Sequence, residues 1–252
     1  MKKNYHTHNE LCGHATGCVE DYVKTAVECG YEELGLSDHI PFKGDTLSER
    51  MPYAMLDYYL DTIVQLKGKY DGKIQLYSGL EAEYFPSLNK YYEELLCNEK
   101  IEYMILGQHY ILKKDGTLAD VFLDLTDSKE AVTYANSSME AMKTGYFTYF
   151  AHPDLFLIGD FTPDYNTEKA CDIILNEAVK YDYILELNAN GLRKPKVTYT
   201  GPYFWEKVAQ TNIRVILGAD AHTTDALHDE AIKKAETMAR ELKLNVIDTP
   251  FQ

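Results

Sequence analysis

Short apolar runs alternate with longer amphipathic runs seven times along the 252 residues, and nearly every apolar run turns polar at its end. The apolar runs are NYHTH (4–8), ELGLSDH (33–39), KIQLYSGLEAEYF (73–85), YMILGQHYI (103–111), YFTYFAHP (146–153), YILELNANG (183–191) and RVILGADAH (214–222). Their β-branched, Leu and aromatic content predicts strands. Between them lie helical patterns at 19–30, 52–70, 86–100, 127–145, 167–181, 203–212 and 228–243. Asp127-Ser128 opens the fourth as a cap, and Gly30 closes the first. Alternating strands and helices imply a parallel sheet, here long enough to close into a barrel. No linker divides the chain, so residues 1–252 are expected to form a single α/β domain.

In such barrels the functional site sits where the strands end. The closing residues here are His6 and His8, Asp38 and His39, Glu81, His109, His152, Asn188 and Asn190, then Asp220 and His222. Six of the seven strands thus end in a group able to bind metal. Seven of the eight histidines fall at these ends or, for His14, in the first loop; only His228 does not. Two imidazoles two residues apart on a strand share a face, so His6 and His8 make a clamp.

The formal net charge of -15 argues against nucleic acid and anionic membranes as partners. Bound divalent cations would offset part of it. The five cysteines are odd in number and lack a CxxC pair, and the polar opening MKKNYHTH predicts no secretion signal. No apolar run approaches the ~18 residues of a transmembrane helix. A reduced, cytoplasmic protein is expected.

Nine ligand candidates (His6, His8, His14, His39, Glu81, His109, His152, Asp220 and His222) exceed the three or four that one tetrahedral zinc takes. Mixed imidazoles and carboxylates suit zinc, manganese or iron. Glu81, from mid-sheet, is placed to bridge two ions. Two ions ~3.5–4 Å apart can hold a hydroxide and clamp an in-line displacement at phosphorus. Arginines are few, so Arg193 in NANGLRKP stands out as a fork for phosphate oxygens.

HTH near the start, DH after the second strand, a lone Glu, two further single histidines and a final DAH together resemble the PHP (polymerase and histidinol phosphatase) family of metal phosphoesterases. The segments HTHNELCGH, SGLEAEYFP, ELNANGLRKP and GADAH are similar to its histidinol-phosphate phosphatase branch. The resemblance spans nearly the whole chain. It implies a distorted (β/α)7 barrel with the metal site at the C-terminal ends of the strands, two or three divalent ions (Zn, Mn or Fe), and hydrolysis of L-histidinol phosphate in histidine biosynthesis. By position, it implies that His6, His8, Glu81 and Asp220 hold a first ion. Glu81 would bridge to a second with His109 and His152, and His14, His39 and His222 would hold a third. Glu81 and Asp220 would take part in catalysis, Asp220 by handling a proton on the bridging hydroxide. Arg193 and Asn190 would meet the substrate. Asp38, beside His39 and counted with the catalytic residues, either orients the cluster or is a polar turn residue.

One departure is visible. The branch is expected to carry a basic residue in the loop after the fifth strand, and PDLFLIGDF (153–161) has none. Asp115, Asp154 or Asp160 could instead serve a cationic leaving group. The expected partner is a small-molecule phosphate ester; a homo-oligomer is left open. Other phosphate esters (a sugar phosphate, a nucleotide, phosphotyrosine) form the alternative substrates. A metal amidohydrolase, which would use a bridging lysine that no strand end offers, and a non-catalytic metal-binding module are the other classes. Glu83 could face the site or pair with a surface lysine. His228 is expected to cap or face solvent, Phe204 and Trp205 to pack on the barrel, and most of the 21 tyrosines to be half-buried on helices.

Overall fold

A computed structural model describes residues 1–44, 47–113, 115–159, 161–194 and 199–251. Eight parallel strands form one sheet, in the order β1 (Lys3–Asn4), β2 (Glu33–Leu36), β3 (Gln75–Ala82), β4 (Tyr103–Leu106), β7 (Tyr149–Phe150), β8 (Leu185–Asn188), β9 (Arg214–Gly218) and β10 (Asn245–Val246). Helices α1 (Val19–Glu28), α2 (Leu56–Lys69), α3 (Asn89–Leu96), α4 (Ser128–Thr144), α5 (Tyr165–Lys180), α7 (Pro202–Val208) and α8 (Glu230–Glu241) connect them. A short helix α6 (Ala189–Arg193) follows β8 directly.

Closure is uneven, and the unevenness matters for the site. β10 pairs with the start of β9, Asn245 against Arg214. At the other end of β9 the chain meets the first strand instead. Thr7 bridges Ala221 in parallel, and His8 N donates to the Ala221 carbonyl at 3.0 Å. The first and last barrel strands therefore touch where His6, His8, Asp220 and His222 lie. This is the distorted barrel expected, with β10 as an additional short strand.

Local chemistry sets the element ends. Asp127 caps α4 by accepting from Lys129 N, and Gly145 closes it at φ 71°. The expected strand at 103–111 is shorter: it stops at Leu106, and Tyr110–Leu112 (β5) pairs antiparallel with Leu118–Asp120 (β6) as a separate hairpin. Gly107 follows the strand end, and a Cβ there would collide with the Glu81 carboxylate, so the position has room only for glycine.

Inside the barrel, below the strand ends, Tyr5, Tyr103, Ile105, Tyr149, Ala151, Ile184 and Ile216 pack together. The Tyr103 and Tyr149 hydroxyls both donate to the Tyr5 carbonyl, at 2.8 and 3.0 Å. Tyr22, Tyr59, Tyr92 and Tyr134 are likewise fully buried. Many tyrosines thus belong to the core, correcting the expectation of half-buried helix residues. Their hydroxyls reach backbone carbonyls, which makes such burial tolerable. Phe204 and Trp205 are buried as expected, Trp205 donating to Asp154 at 3.1 Å.

Candidate metal centre

All nine ligand candidates converge on one end of the barrel. Glu81 is the hub. Its Oε1 lies 2.9 Å from His152 Nε2 and 3.6 Å from His109 Nε2. Its Oε2 lies 3.0 Å from His39 Nδ1, 3.4 Å from His8 Nε2 and 3.5 Å from His6 Nε2. Asp220 Oδ1 sits 3.2 Å from His8 Nε2, 3.6 Å from His6 Nε2 and 3.3 Å from His222 Nδ1. His14 joins through Nε2, 3.0 Å from His222 Nε2. His152 and Asp220 adopt positive φ, 34° and 46°. Two ligand candidates in a sparsely populated backbone region mark strain concentrated at the site.

Behind the ligand atoms, carboxylates fix the rings. His6 Nδ1 meets Glu186 Oε1 at 2.8 Å, His8 Nδ1 meets Asp38 Oδ1 at 3.3 Å, and His109 Nδ1 meets Glu83 Oε1 at 2.9 Å. Each contact leaves Nε2 of that ring aimed at the shared centre, the arrangement by which carboxylates orient metal-binding histidines. Asp38 accepts from Asn9 at 2.7 Å as well and lies beneath His8, off the cavity wall. Its contact is with His8 Nδ1, the place of an orienting residue rather than of a group on the cavity wall. Glu83, for which two roles were open, faces the site.

The donor set fits divalent ions. His6 Nε2 and His8 Nε2 face each other at 3.1 Å, and the buried Glu81 Oε2 and His39 Nδ1, though 3.0 Å apart, are not aligned as a hydrogen bond. Such pairings leave lone pairs directed at a common point, which a shared cation satisfies. Ligand atoms within 4.8 Å of one another occur in the sets His6, His8, Glu81; His6, His152, Asp220; and His8, His39, His222. Electrostatics agree. Burial opposes ionisation of Glu81, but His6, His109 and His39 outweigh it and hold the carboxyl well below its usual range. Asp220 is likewise held low against burial, by His6, His222 and His8. Burial, reinforced by His8, keeps His39 well below the usual imidazole value and His222 below it. Ionised carboxylates and neutral imidazoles are the forms that ligate. At His6, His8 and His109, by contrast, burial is outweighed by the carboxylates around them, Glu186, Asp220, Asp38, Glu81 and Glu83, which raise these imidazoles and make a field that attracts any cation.

A cavity of about 340 Å³ opens onto this cluster, lined also by Glu49, Arg50, Tyr110, Asp120, Phe122, Asn190, Lys194 and Tyr199. Asn190 is where expected, its Nδ2 donating to Asp220 Oδ2 at 3.1 Å alongside Asn188 at the same distance. Arg193 is not. Its Nε donates to Asp229 Oδ2 at 2.7 Å, Nη1 to the Ala219 carbonyl at 2.6 Å, and Nη2 to the Ala226 carbonyl at 2.7 Å. The expected phosphate fork is spent on holding the Asp220 loop, and its neighbour Lys194 lines the cavity instead. Asp154 is buried and accepts from Thr200 N at 2.6 Å, Asp115 is exposed at the hairpin turn, and Asp160 lies outside the described residues. Neither Asp115 nor Asp154 reaches the cavity wall. His228 follows a short 3-10 turn away from the cluster, with its N donating to the Asp225 carbonyl.

Glu186, Arg50, Asp120 and Phe122 were not expected in the site. Glu186 carries a readable signal, since it shares a strand face with Asn188 two residues on. The hairpin that delivers Asp120 is flagged by Asp115-Gly116 between two short apolar runs.

A parallel barrel with clustered histidines and carboxylates at its strand ends defines a metal-dependent hydrolase architecture, and residues 4–190 match the PHP domain model. The chain belongs to the PHP domain family. It is 28% identical over 224 residues to a Deinococcus radiodurans protein named "Probable histidinol-phosphatase", covering 86% of this chain and 85% of that one. It is 24% identical to the histidinol-phosphatase of Bacillus subtilis, covering 88% and 94%. Its fold matches the histidinol phosphate phosphatase of Lactococcus lactis, solved with zinc, L-histidinol and phosphate, at a TM-score of 0.75 and 19% identity, covering 98% and 95%. No helix among the described residues is long and apolar enough to cross a membrane.

Proposed function

We propose that residues 1–252 act as one phosphoesterase domain, a metal-dependent phosphomonoesterase whose substrate is L-histidinol phosphate. The observation that carries this is the convergence of seven histidines, Glu81 and Asp220 at one end of the barrel, under one cavity, in a chain whose curated relatives bear histidinol-phosphatase names. Bound divalent ions supply Lewis-acid polarisation of the phosphoryl oxygens and a nucleophile drawn from water at neutral pH. Glu81, with its oxygens turned to different imidazoles, joins the His109–His152 side to the His6–His8–His39 side. Asp220 commits Oδ2 to Asn188 and Asn190, so Oδ1, turned toward His8 and His222, is the oxygen that faces the ions and their water and would handle its proton.

Lys194 and Arg50 are the cationic side chains on the wall among the described residues. Arg50 is bound to Glu83, so Lys194, set 5.5 Å over the Phe122 ring, is the charge that meets phosphate oxygens. Glu49 and Asp120 on the same wall suit the cationic part of histidinol, the role first considered for Asp115, Asp154 or Asp160. This acidic wall favours histidinol phosphate over sugar phosphates, nucleotides and phosphotyrosine. Five free cysteines, with Cys18, Cys29 and Cys97 exposed, support a cytoplasmic location. The test is phosphate release from histidinol phosphate, glucose 6-phosphate and p-nitrophenyl phosphate by metal-loaded protein. The proposal expects the highest kcat/KM on histidinol phosphate, and a higher value on glucose 6-phosphate would overturn the substrate assignment.

A further inference from the structure

Glu83 stands between two roles. Its carboxylate forms, with His39 and His109, a group whose ligand atoms lie within 4.8 Å of one another. It is therefore within reach of an ion held by those imidazoles. The same carboxylate accepts from His109 Nδ1 at 2.9 Å and so orients that ring. A carboxylate beside a divalent ion is ordinarily drawn in as a ligand.

Arg50 opposes that. Its Nη1 donates to Glu83 Oε2 at 2.8 Å and its Nη2 to Oε1 at 3.1 Å, a two-point fork on both oxygens. The two side chains are only 4% and 1% exposed. Arg50 is itself pinned: Nε donates to the Ser48 carbonyl at 3.2 Å, and the guanidinium lies 5.4 Å from the Phe42 ring and 5.8 Å from the Tyr110 ring. The fork thus cannot drift off Glu83 without giving up a backbone bond and two aromatic faces.

The geometry points to Arg50 as a positioning residue that fixes the ligand set. By occupying both oxygens of Glu83, it keeps that carboxylate as the orienter of His109 and out of the coordination of the ion that His39 and His109 reach. The inference rests on the metal-site reading above. Its consequence is a site whose anionic ligand count is set from outside, which preserves the Lewis acidity of an imidazole-rich ion.

Cobalt(II) is the probe, because its visible absorption reports ligand type and number. In Arg50→Met, Glu83 is released, and the cobalt spectrum of the substituted protein is expected to weaken and shift as an oxygen ligand is added. Its kcat/KM is expected to fall about 10- to 100-fold, the usual cost of losing a partner of a metal ligand. Adding Glu83→Gln to Arg50→Met restores an uncharged oxygen for His109 Nδ1 and removes the buried unpaired charge. The double variant is expected to regain the wild-type spectrum and part of the activity. A wild-type cobalt spectrum in Arg50→Met, or a double variant no better than the single one, overturns the inference. Should Arg50→Met prove unfolded by circular dichroism, Arg50→Lys keeps the charge without the fork. An intermediate spectrum supports the inference, and an unchanged one overturns it. Wild-type protein that binds no cobalt would contradict the metal site itself, whereas cobalt binding unaffected by these variants contradicts only the role of Arg50.

Discussion

The guanidinium of Arg193 meets the carboxylate of Asp229 at 2.7 Å and faces away from the cavity that Lys194, one residue on, helps to line. With its bonds to the Ala219 and Ala226 carbonyls, Arg193 ties the last barrel strand to the start of α8. Arg193→Ala is accordingly expected to lower stability by roughly 2–3 kcal/mol, the worth of hydrogen bonds to a charged group. Arg193→Lys should recover only part of this, since an ammonium cannot span three acceptors. Lys194→Ala should instead leave stability near wild type and raise KM for the phosphate ester. Denaturant unfolding and steady-state kinetics on the three variants check the division. A kinetic loss in Arg193→Ala at unchanged stability would return the phosphate contact to Arg193.

Two glycines make room for the carboxylates. A Cβ on Gly218 would collide with Glu186, and one on Gly107 with Glu81. Gly218→Ala should push Glu186 from His6 and weaken metal binding about 10- to 100-fold, at an overpacking cost of about 1–3 kcal/mol. Gly68 on α2 has open space around it, so Gly68→Ala should add about 0.5–1 kcal/mol of stability instead. Metal titration with thermal unfolding separates the two outcomes.

The strand ends were readable because a βα alternation predicts a barrel and a barrel dictates where its site lies. That is why His6, His8, Glu81, His152 and Asp220 could be placed from the sequence. Arg50 could not, because it arrives from an aperiodic loop and meets Glu83 only through the fold, 33 residues on. Arg193 misled for a related reason: a motif places the backbone of a residue, whereas the direction of its side chain depended on Asp229 and two distant carbonyls. Lys194 shows how small the difference is, one position along the same turn.

On the proposed bridging role of Glu81, Glu81→Ala should cut turnover by on the order of 10²- to 10⁴-fold, equivalent to roughly 3–5 kcal/mol of transition-state stabilisation. Metal content should fall as well, with the circular dichroism spectrum of the folded protein kept. Full metal content and a normal rate in this variant would refute the bridge.

Burial pushes the thiols of Cys12 and Cys171 up to about 12, while Cys18, Cys29 and Cys97 are exposed. Native protein should therefore show three thiols that react quickly with a disulfide reagent at neutral pH and two that react only on unfolding. Rapid reaction of all five would contradict the packing around Cys12, which ends a short 3-10 turn, and around Cys171 on α5.

Ions held by this cluster are proposed to drive ester hydrolysis. The most direct measurement is stepwise addition of zinc or manganese to metal-free protein, with bound metal and phosphate release from L-histidinol phosphate followed together. The expected result is no release at zero metal and a rate that climbs until about two or three ions are bound per chain. Phosphate release at full rate without metal, or saturation with ions and no release, would contradict it.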